Sequence, residues 1–213
     1  MESDRISEFI RQYVPDPGEE LKKLRAQAIA EEVPIIRQET EAFLRTLLTL
    51  QRPKRVLELG TAVGYSAIYM ASASAGIERI DTIEDWDPRI PKARSNIEKA
   101  GLADRIFLME GDALEIMKGL TEPYDLVFID AAKGQYPEYL TEAIRLTREG
   151  SVIIADNIFQ DGEIMESKYI VERRDRTIHK RLRTFLDMVS NDSRLSTSVL
   201  PVGDGITFSV RCA

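Results

Sequence analysis

The chain has 213 residues, of which 43% are apolar, and a formal net charge of −7. This length suffices for one domain with a real core and scarcely for two, and the composition is ordinary for a folded protein. The acidic net charge argues against general nucleic-acid binding, although a local basic patch can depart from the average. No apolar run approaches the ~20 residues that a membrane span needs, so no membrane partner is expected.

Cysteine and histidine usage excludes several chemistries. Cys212 is the only cysteine, so the chain cannot form an internal disulfide. Together with a charged N-terminus that lacks an apolar signal, this favours a cytoplasmic location. His179 is the only histidine, so neither a histidine-rich zinc site nor a Ser-His-Asp triad is expected. Any bound metal is therefore expected to have oxygen ligands, as Mg²⁺, Mn²⁺ and Ca²⁺ do.

The first fifty residues predict helices. Apolar residues recur at helical spacing in 21–29 and again in 43–48. Pro15, Pro17 and Pro34 separate the helices. We expect a helical segment over 1–50 that packs on the rest of a single domain spanning 1–213.

From Arg55 onward, short apolar runs alternate with amphipathic stretches of about a dozen residues, the rhythm of βα units on one parallel sheet. The predicted strands are Arg55–Leu59, Ile80–Glu84, Arg105–Met109, Tyr124–Asp130 and Ser151–Asp156. A long amphipathic helix is predicted over about Ser167–Asn191, followed by two strands around an Asp204-Gly205 turn within 200–210. The pattern indicates an α/β fold.

A glycine turn follows the first predicted strand. The spacing of Gly60 and Gly64 lets a ligand approach the backbone and the next helix N-terminus, but differs from the G-x-G-x-x-G dinucleotide fingerprint. Glu58, just before the turn, would repel a pyrophosphate and attract an ammonium or sulfonium group. The turn therefore favours S-adenosylmethionine over NAD as the cofactor.

Two more acids follow strands at places that suit a nucleoside. Glu84 could accept hydrogen bonds from both ribose hydroxyls. The side chain of Asp112 and the backbone of Ala113 could read the adenine edge. The alternative is that the glycines only form a tight turn and the acids are solvated strand ends.

Oxygen-bearing side chains also follow two later strands. Asp130, Asp156 and Asn157 would face the same crevice as the glycine turn, because parallel strands end at one edge of a sheet. Three oxygen ligands leave about three positions of an octahedral Mg²⁺ for water and substrate. Lys133, three residues after Asp130, is a candidate general base for a metal-bound hydroxyl. The alternative is that these residues are only caps and turn formers.

In these segments the chain resembles the cation-dependent O-methyltransferase family that includes catechol and caffeoyl-CoA O-methyltransferases. The resemblance rests on 57–66, 128–139, Asp156-Asn157 and 200–206, and runs from about Leu44 to the C-terminus. It implies a Rossmann-like class I methyltransferase fold, with helices on both faces of a seven-stranded, mostly parallel sheet whose last strand is antiparallel. It also implies a homodimer.

The resemblance assigns roles to individual residues. Asp130, Asp156 and Asn157 would be the metal ligands, and Lys133 with Asp130 the catalytic residues. The residues expected to bind S-adenosyl-L-methionine are Ile36, Glu58, Gly60, Thr61, Gly64, Ser66, Glu84, Asp112, Ala113 and Asp130. Ala132 stands where small-molecule members usually carry a second Asp, so the aromatic substrate clamp of the plant enzymes cannot be assumed.

A basic segment within the predicted long helix bears on the acceptor. It holds Arg173, Arg174, Arg176, Lys180, Arg181 and Arg183. Four of these cations would form a stripe on one helix face, suited to phosphates. The segment resembles bacterial tRNA 5-hydroxyuridine O-methyltransferases of the same family.

That substrate suits the predicted chemistry. The 5-hydroxyl and 4-carbonyl oxygens of 5-hydroxyuridine are neighbours and could chelate Mg²⁺ as catechol does. The wobble base of an anticodon loop is already single-stranded, so little energy is needed to present it. We therefore expect the tRNA anticodon loop as partner and 5-methoxyuridine as product.

Two alternatives stay open. The acceptor could be a free catechol-like or caffeoyl-type phenol, or the chain could be a non-catalytic binding module with this fold. In both cases the basic helix face would be solvated surface that offsets acidic neighbours such as Glu163, Glu166 and Glu172.

Overall fold

Three helices precede the first strand in the computed structural model, which describes residues 2–167 and 169–212. They are α1 (Glu2–Arg11), α2 (Glu19–Ala30) and α3 (Gln38–Gln51). The connections between them contain Pro15, Pro17 and Pro34, as predicted. Leu44 and Leu48 on α3 are fully buried, so this helix belongs to the core of the fold.

Seven strands form one sheet in the order β3-β2-β1-β4-β5-β7-β6. They are β1 (Arg55–Leu59), β2 (Arg79–Glu84), β3 (Ile106–Glu110), β4 (Tyr124–Ile129), β5 (Thr147–Ala155), β6 (Leu195–Leu200) and β7 (Ile206–Arg211). Only β7 runs against its neighbours, β5 and β6. This mostly parallel sheet with an antiparallel last strand confirms the expected Rossmann-like fold.

Helices cover both faces of the sheet. The remaining ones are α4 (Tyr65–Ala73), α5 (Ile90–Lys99), α6 (Ala113–Gly119), α7 (Tyr136–Arg145) and α8 (Arg176–Asn191). Alternate strand residues point to opposite faces and divide the core in two. Val56 and Leu126 pack in the cluster that includes α3 and α4, whereas Leu57 and Val127 pack in the cluster that includes α7 and α8.

Three predicted boundaries were wrong by more than one residue. β5 begins at Thr147, four residues before the predicted Ser151. The first strand of the C-terminal hairpin is β6, which ends at Leu200 where the prediction had it begin. Both additional stretches are paired in the sheet, and such pairing depends on partners distant in sequence.

The third error concerns the long helix, which begins at Arg176 and not near Ser167. Lys168, within the predicted range, lies outside the described residues. The Arg176 side chain donates to the carbonyls of Val171 and Tyr169, 3.1 and 3.3 Å away. These carbonyls therefore accept hydrogen bonds from a side chain and not from the amides of a helix. This stretch folds as turns before the helix starts.

The strand order identifies the edge of the sheet at which a ligand can bind. β1 pairs with β2 on one side and β4 on the other, so strand order reverses at β1, and a crevice opens beyond the carboxyl ends of these strands. Among the described residues, no helix is both long and apolar enough to cross a bilayer.

Candidate active site

The turn after β1 approaches the end of β4 so closely that only glycine fits at its start. Gly60 has a φ of +95°, and a Cβ there would lie 2.0 Å from the carbonyl oxygen of Asp130. The amides of Gly60 and Thr61 both donate to the carbonyl of Ile83, at 3.0 and 3.1 Å. The turn is therefore pinned across the ends of β1, β2 and β4.

A cavity of about 340 Å³ opens beside this turn. That volume lies in the lower part of the range of small-molecule sites. The predicted site residues that line it are Ile36, Gly60, Thr61, Ser66, Glu84, Ala113, Asp130, Lys133 and Asn157. The structure thus brings most of the predicted cofactor site together with the predicted base and two predicted metal ligands, Asp130 and Asn157, whereas Asp156 does not line the cavity.

Glu84 is fixed on the cavity wall by backbone amides. Its Oε2 accepts from the amide of Ala62 at 2.6 Å and its Oε1 from the amide of Trp86 at 3.0 Å. A carboxylate oxygen has a second lone pair, so each can still accept a hydroxyl. Ribose binding by this acid stays a prediction, for which both carboxylate oxygens keep an accepting lone pair.

Glu58 does not line the cavity but lies fully buried behind the turn. The hydroxyl of Thr82 donates to its Oε2 at 2.5 Å, while its Oε1 has no hydrogen-bond partner among the described residues. Burial raises the pKa of Glu58 to about 7, against the opposing effect of the Ser66 and Thr82 hydroxyls. Glu58 would therefore attract a sulfonium group in the cavity from a distance, across the glycine turn, and would not contact it directly.

Two other predicted cofactor residues have structural roles outside the cavity lining. Gly64, at φ +84°, is the N-cap of α4. Asp112 is the N-cap of α6, where its Oδ1 accepts from the amide of Glu115 at 2.9 Å. Of the adjoining residues, Gly111 and Ala113 do line the cavity.

Sequence reasoning missed several residues of the cavity lining. Trp86 lies two positions after Glu84, and its ring is covered by the guanidinium of Arg89 at 4.3 Å. Trp86 is the only tryptophan, and it lies shortly after an acid at a strand end. That position in the sequence could have indicated that it belongs to the cofactor site. Tyr65 and Tyr139 also line the cavity, but tertiary packing alone brings them there.

The three predicted metal ligands meet at the ends of β4 and β5. The Nδ2 of Asn157 donates to Oδ1 of Asp130 at 2.8 Å, and the amide of Asn157 donates to Oδ1 of Asp156 at 2.7 Å. Asn157 adopts a left-handed conformation at φ 56°, which asparagine tolerates better than most residues. This conformation lets its side chain reach Asp130 at the end of β4.

The two carboxylates are held in an environment that disfavours their charges. Burial raises the pKa of Asp130, against the lowering effect of the Lys133 ammonium. Burial, with repulsion from Asp130, raises the pKa of Asp156 to about 7. A bound cation would relieve both effects.

The donor set fits a divalent ion that prefers oxygen. Two carboxylates and one amide are available, and rotation of the Asn157 amide by a half turn would present its oxygen in place of its nitrogen. Within 2–167 and 169–212, no group of three His, Cys, Asp or Glu side chains forms a metal site, so the amide is a necessary member of the set. Magnesium therefore stays a prediction.

Tyr136 ties the ends of the two strands together. Its hydroxyl donates to the carbonyl of Asp156 at 2.9 Å and lies 3.4 Å from the carbonyl of Ile129. The side chain is fully buried, and its ring meets that of Phe185 on α8 edge-on at 5.4 Å. Tyr136 thus sets the separation of the strand ends that carry Asp130 and Asp156.

The basic segment does not form the predicted stripe on one helix. Arg173 and Arg174 precede α8, and Arg174 pairs with Glu172 and Asp175. Arg183 donates to the carbonyls of Ile164 and Glu166, as Arg176 does to other carbonyls of the preceding segment.

Arg181 also points inward, to the carbonyl of Gly134 and to Glu138. Lys180 and Arg173 remain exposed to solvent. Sequence periodicity missed these contacts because it cannot show which backbone carbonyls lie within reach of a long side chain.

Comparison with known proteins decides the family. Residues 12–212 match the O-methyltransferase family model. The chain belongs to this family. The caffeoyl-CoA O-methyltransferase of Eucalyptus gunnii is 30% identical over 232 residues, covering 99% of this chain and 89% of that protein.

A second relative is more similar over a shorter stretch. The catechol O-methyltransferase of Niastella koreensis is 42% identical over 129 residues, and the match spans only 58% of this chain and 58% of that protein. Among solved structures, the O-methyltransferase from Bacillus cereus in complex with SAH superposes with a TM-score of 0.82 at 30% identity, covering 95% of this chain and 96% of that one. Membership in this O-methyltransferase family confirms the predicted class, an S-adenosylmethionine-dependent O-methyltransferase.

Proposed function

We propose that this O-methyltransferase moves a methyl group from S-adenosylmethionine to a hydroxyl that has a second oxygen on the neighbouring atom, with the help of a divalent cation. The observation that carries the proposal is the convergence of Asp130, Asn157 and Lys133 on the cavity wall, with the buried carboxylate of Asp156 accepting a hydrogen bond from the Asn157 amide beside them. A chelated pair of acceptor oxygens would complete such a site.

Each side chain has a part in the reaction. The turn at Gly60 and the carboxylate of Glu84 hold the methyl donor in the cavity. Asp130, Asp156 and Asn157 would hold the cation, which when bound supplies positive charge that favours loss of the hydroxyl proton.

Lys133, which lines the same cavity, takes that proton at Nζ in its neutral amine form and becomes the ammonium. The acceptor oxygen then bonds to the methyl carbon while the carbon–sulfur bond breaks and its electron pair stays on sulfur. The protein's contribution is to align the two reactants and to accept the proton.

For the acceptor we propose 5-hydroxyuridine at the tRNA wobble position, methylated to 5-methoxyuridine. Its neighbouring oxygens suit chelation, and the base is presented in a single-stranded loop. Arg173 and Lys180 are exposed, as a phosphate-binding surface requires, and Arg174 is exposed but paired with Glu172 and Asp175. Arg176, Arg181 and Arg183 already serve internal contacts, so the surface is smaller than the sequence predicts.

A small vicinal diphenol is the second candidate. It is favoured by the relatives, because the similar proteins of Niastella koreensis and Eucalyptus gunnii are named for catechol and caffeoyl-CoA.

One assay separates the two acceptors. Purified protein with Mg²⁺ and S-adenosylmethionine is offered either tRNA from a strain that lacks the protein or free catechol. Methylated nucleoside in tRNA, detected by mass spectrometry, with much slower turnover of catechol supports the tRNA acceptor; the reverse result supports the diphenol. Arg173→Glu combined with Lys180→Glu should weaken tRNA binding and reduce its salt dependence, while leaving affinity for SAH unchanged.

A second experiment tests the reaction centre itself. Asp156→Ala should abolish binding of Mn²⁺, followed by its electron paramagnetic resonance, and methyl transfer together. Lys133→Met should lose methyl transfer by roughly 100-fold or more and keep its affinity for SAH. Full activity in Lys133→Met would refute the proton transfer assigned to Lys133.

A further inference from the structure

Arg181, on the second turn of α8, contacts the segment that carries Lys133. Its Nε donates to the carbonyl of Gly134 at 2.7 Å, and its Nη2 pairs with the carboxylate of Glu138 on α7. The side chain is 34% exposed, and both contacts point inward. One guanidinium thus bridges α8, the start of α7 and the residue directly after Lys133.

The segment that carries Lys133 has little regular structure of its own. Residues Lys133–Gln135 form a single 3-10 turn between the end of β4 and α7. Within the turn the amide of Gln135 donates to the carbonyl of Ala132 at 2.9 Å. So short a helix is weak without outside contacts, and a charged donor on its carbonyl is the stronger kind of hydrogen bond.

Helix α8 also contacts the segment that follows Asn157. Arg183 donates to the carbonyls of Ile164 and Glu166, and the buried His179 lies 3.1 Å from the carbonyl of Glu166 through its Nε2. The basic residues of α8 therefore contact the backbone of both segments that follow predicted metal ligands, one after Asp130 and one after Asn157.

We propose that Arg181 is a positioning residue that fixes Lys133 relative to the acceptor, and that its main role is not to bind phosphate. The proposal rests on the function proposed for Lys133 above. A displacement of about 1 Å in a reacting group can cost about 100-fold in rate. Arg181 holds the residue next to Lys133 by one contact and the first turn of α7 by the other, so its guanidinium can control where Lys133 lies.

Two substitutions at this position test the proposal. We expect Arg181→Gln to lower kcat by about 10- to 100-fold while the KM for S-adenosylmethionine and the affinity for SAH change less than about twofold. Arg181→Lys, which retains one charged donor, should recover part of the loss. Hydrogen exchange of the peptide that contains Lys133–Gln135, measured by mass spectrometry, should be faster in Arg181→Gln and close to wild type in Arg181→Lys.

Arg145 provides a matched control on α7. Its guanidinium also pairs with a carboxylate, that of Glu142, and also donates to carbonyls, those of Met117 and Leu120. Neither of these carbonyl-bearing residues lines the cavity. Arg145→Gln should therefore lose stability but keep kcat and the exchange rate of the Lys133 peptide.

Three results would overturn the proposal. Unchanged exchange of the Lys133 peptide in Arg181→Gln would do so, whether or not the protein is active on the acceptors tried. An equal loss of kcat in Arg145→Gln would show that the loss in Arg181→Gln comes from lower stability and not from the position of Lys133. Weaker, less salt-dependent tRNA binding at unchanged kcat would assign Arg181 to phosphate. The function proposed for Lys133 fails separately, through full activity in Lys133→Met.

Discussion

Glu58 shows how one buried residue shapes the cofactor site. It lies fully buried under the glycine turn, with only part of its hydrogen-bonding capacity satisfied by the Thr82 hydroxyl. Ionising a carboxyl group in such surroundings costs free energy, because the charge is not solvated by water. The same side chain places a negative charge close to where a cationic cofactor would bind.

A pH dependence of stability follows from this residue. The pKa of Glu58 is raised from 4.5 to about 7, so its effect on stability is absent below about pH 4.5. Stability is then lost as the pH rises, until the group ionises in the folded state near pH 7. The loss is about 3 kcal/mol, since each pKa unit is worth about 1.4 kcal/mol.

Urea unfolding of the ligand-free protein at pH 5 and pH 8 measures this effect. We expect Glu58→Gln to lose less stability than wild type over this interval, by about 2–3 kcal/mol. Asp130 and Asp156 contribute in the same direction to both proteins, so the comparison isolates Glu58. Equal pH dependence in the two proteins would contradict the raised pKa.

At the level of elements, the proposed metal site depends on how two strand ends and one helix are joined. β4 and β5 are neighbours, so Asp130 and Asp156 emerge side by side. Tyr136, at the start of α7, holds their separation through its hydroxyl, and Phe185 of α8 packs on its ring. A rigid frame of this kind keeps two like charges together that would otherwise move apart.

Tyr136→Phe tests this frame. We expect a loss of about 1–3 kcal/mol in the free energy of unfolding, because the carbonyl of Asp156 loses its buried donor. Mn²⁺ binding should weaken as well, because the strand ends are less firmly held.

Tyr139→Phe is the matched control. Its hydroxyl has no hydrogen bond among those resolved within the described part of the chain, so removing it should change stability and metal affinity little. Equal metal affinity in Tyr136→Phe and wild type would show that packing alone holds the strand ends.

At the level of the whole molecule, folding and ligand binding are coupled. The carboxylates of Asp130 and Asp156 near the cavity, and that of Glu58 behind it, have raised pKa values and carry charges that the fold tolerates poorly. Ligands that neutralise those charges should therefore stabilise the native state, because they bind the folded chain and not the unfolded one. The effect belongs to the complete fold, since the residues involved come from distant parts of the chain.

Thermal unfolding with and without Mg²⁺ and SAH tests this coupling. At about 100 times its dissociation constant each ligand should add about 2.7 kcal/mol, or roughly 5–10 °C in Tm for a chain of this size. The Mg²⁺ effect should be larger at pH 8 than at pH 6, because the raised pKa of Asp156, about 7, makes the ion compete with a proton at the lower pH. Asp156→Asn should lose the Mg²⁺ effect and keep the SAH effect.

The sequence by itself determined the fold class and most of the site. Alternating apolar runs and helices predict a parallel sheet, and parallel strands end at one edge. Residues such as Glu84, Asp130 and Asp156, each the last residue of a predicted strand, could therefore be placed together without a structure. Local pattern suffices here because strand direction and side-chain alternation follow from backbone geometry.

Tertiary structure alone decided the rest. It placed Glu58 behind the turn instead of in the cavity, brought Trp86 and Tyr139 to the lining, and turned Arg176, Arg181 and Arg183 toward backbone carbonyls. A helical pattern shows which residues share a face, but not which distant carbonyl or carboxylate a long flexible side chain will meet. That choice depends on elements that are far apart in sequence and are brought together only when the sheet and helices pack.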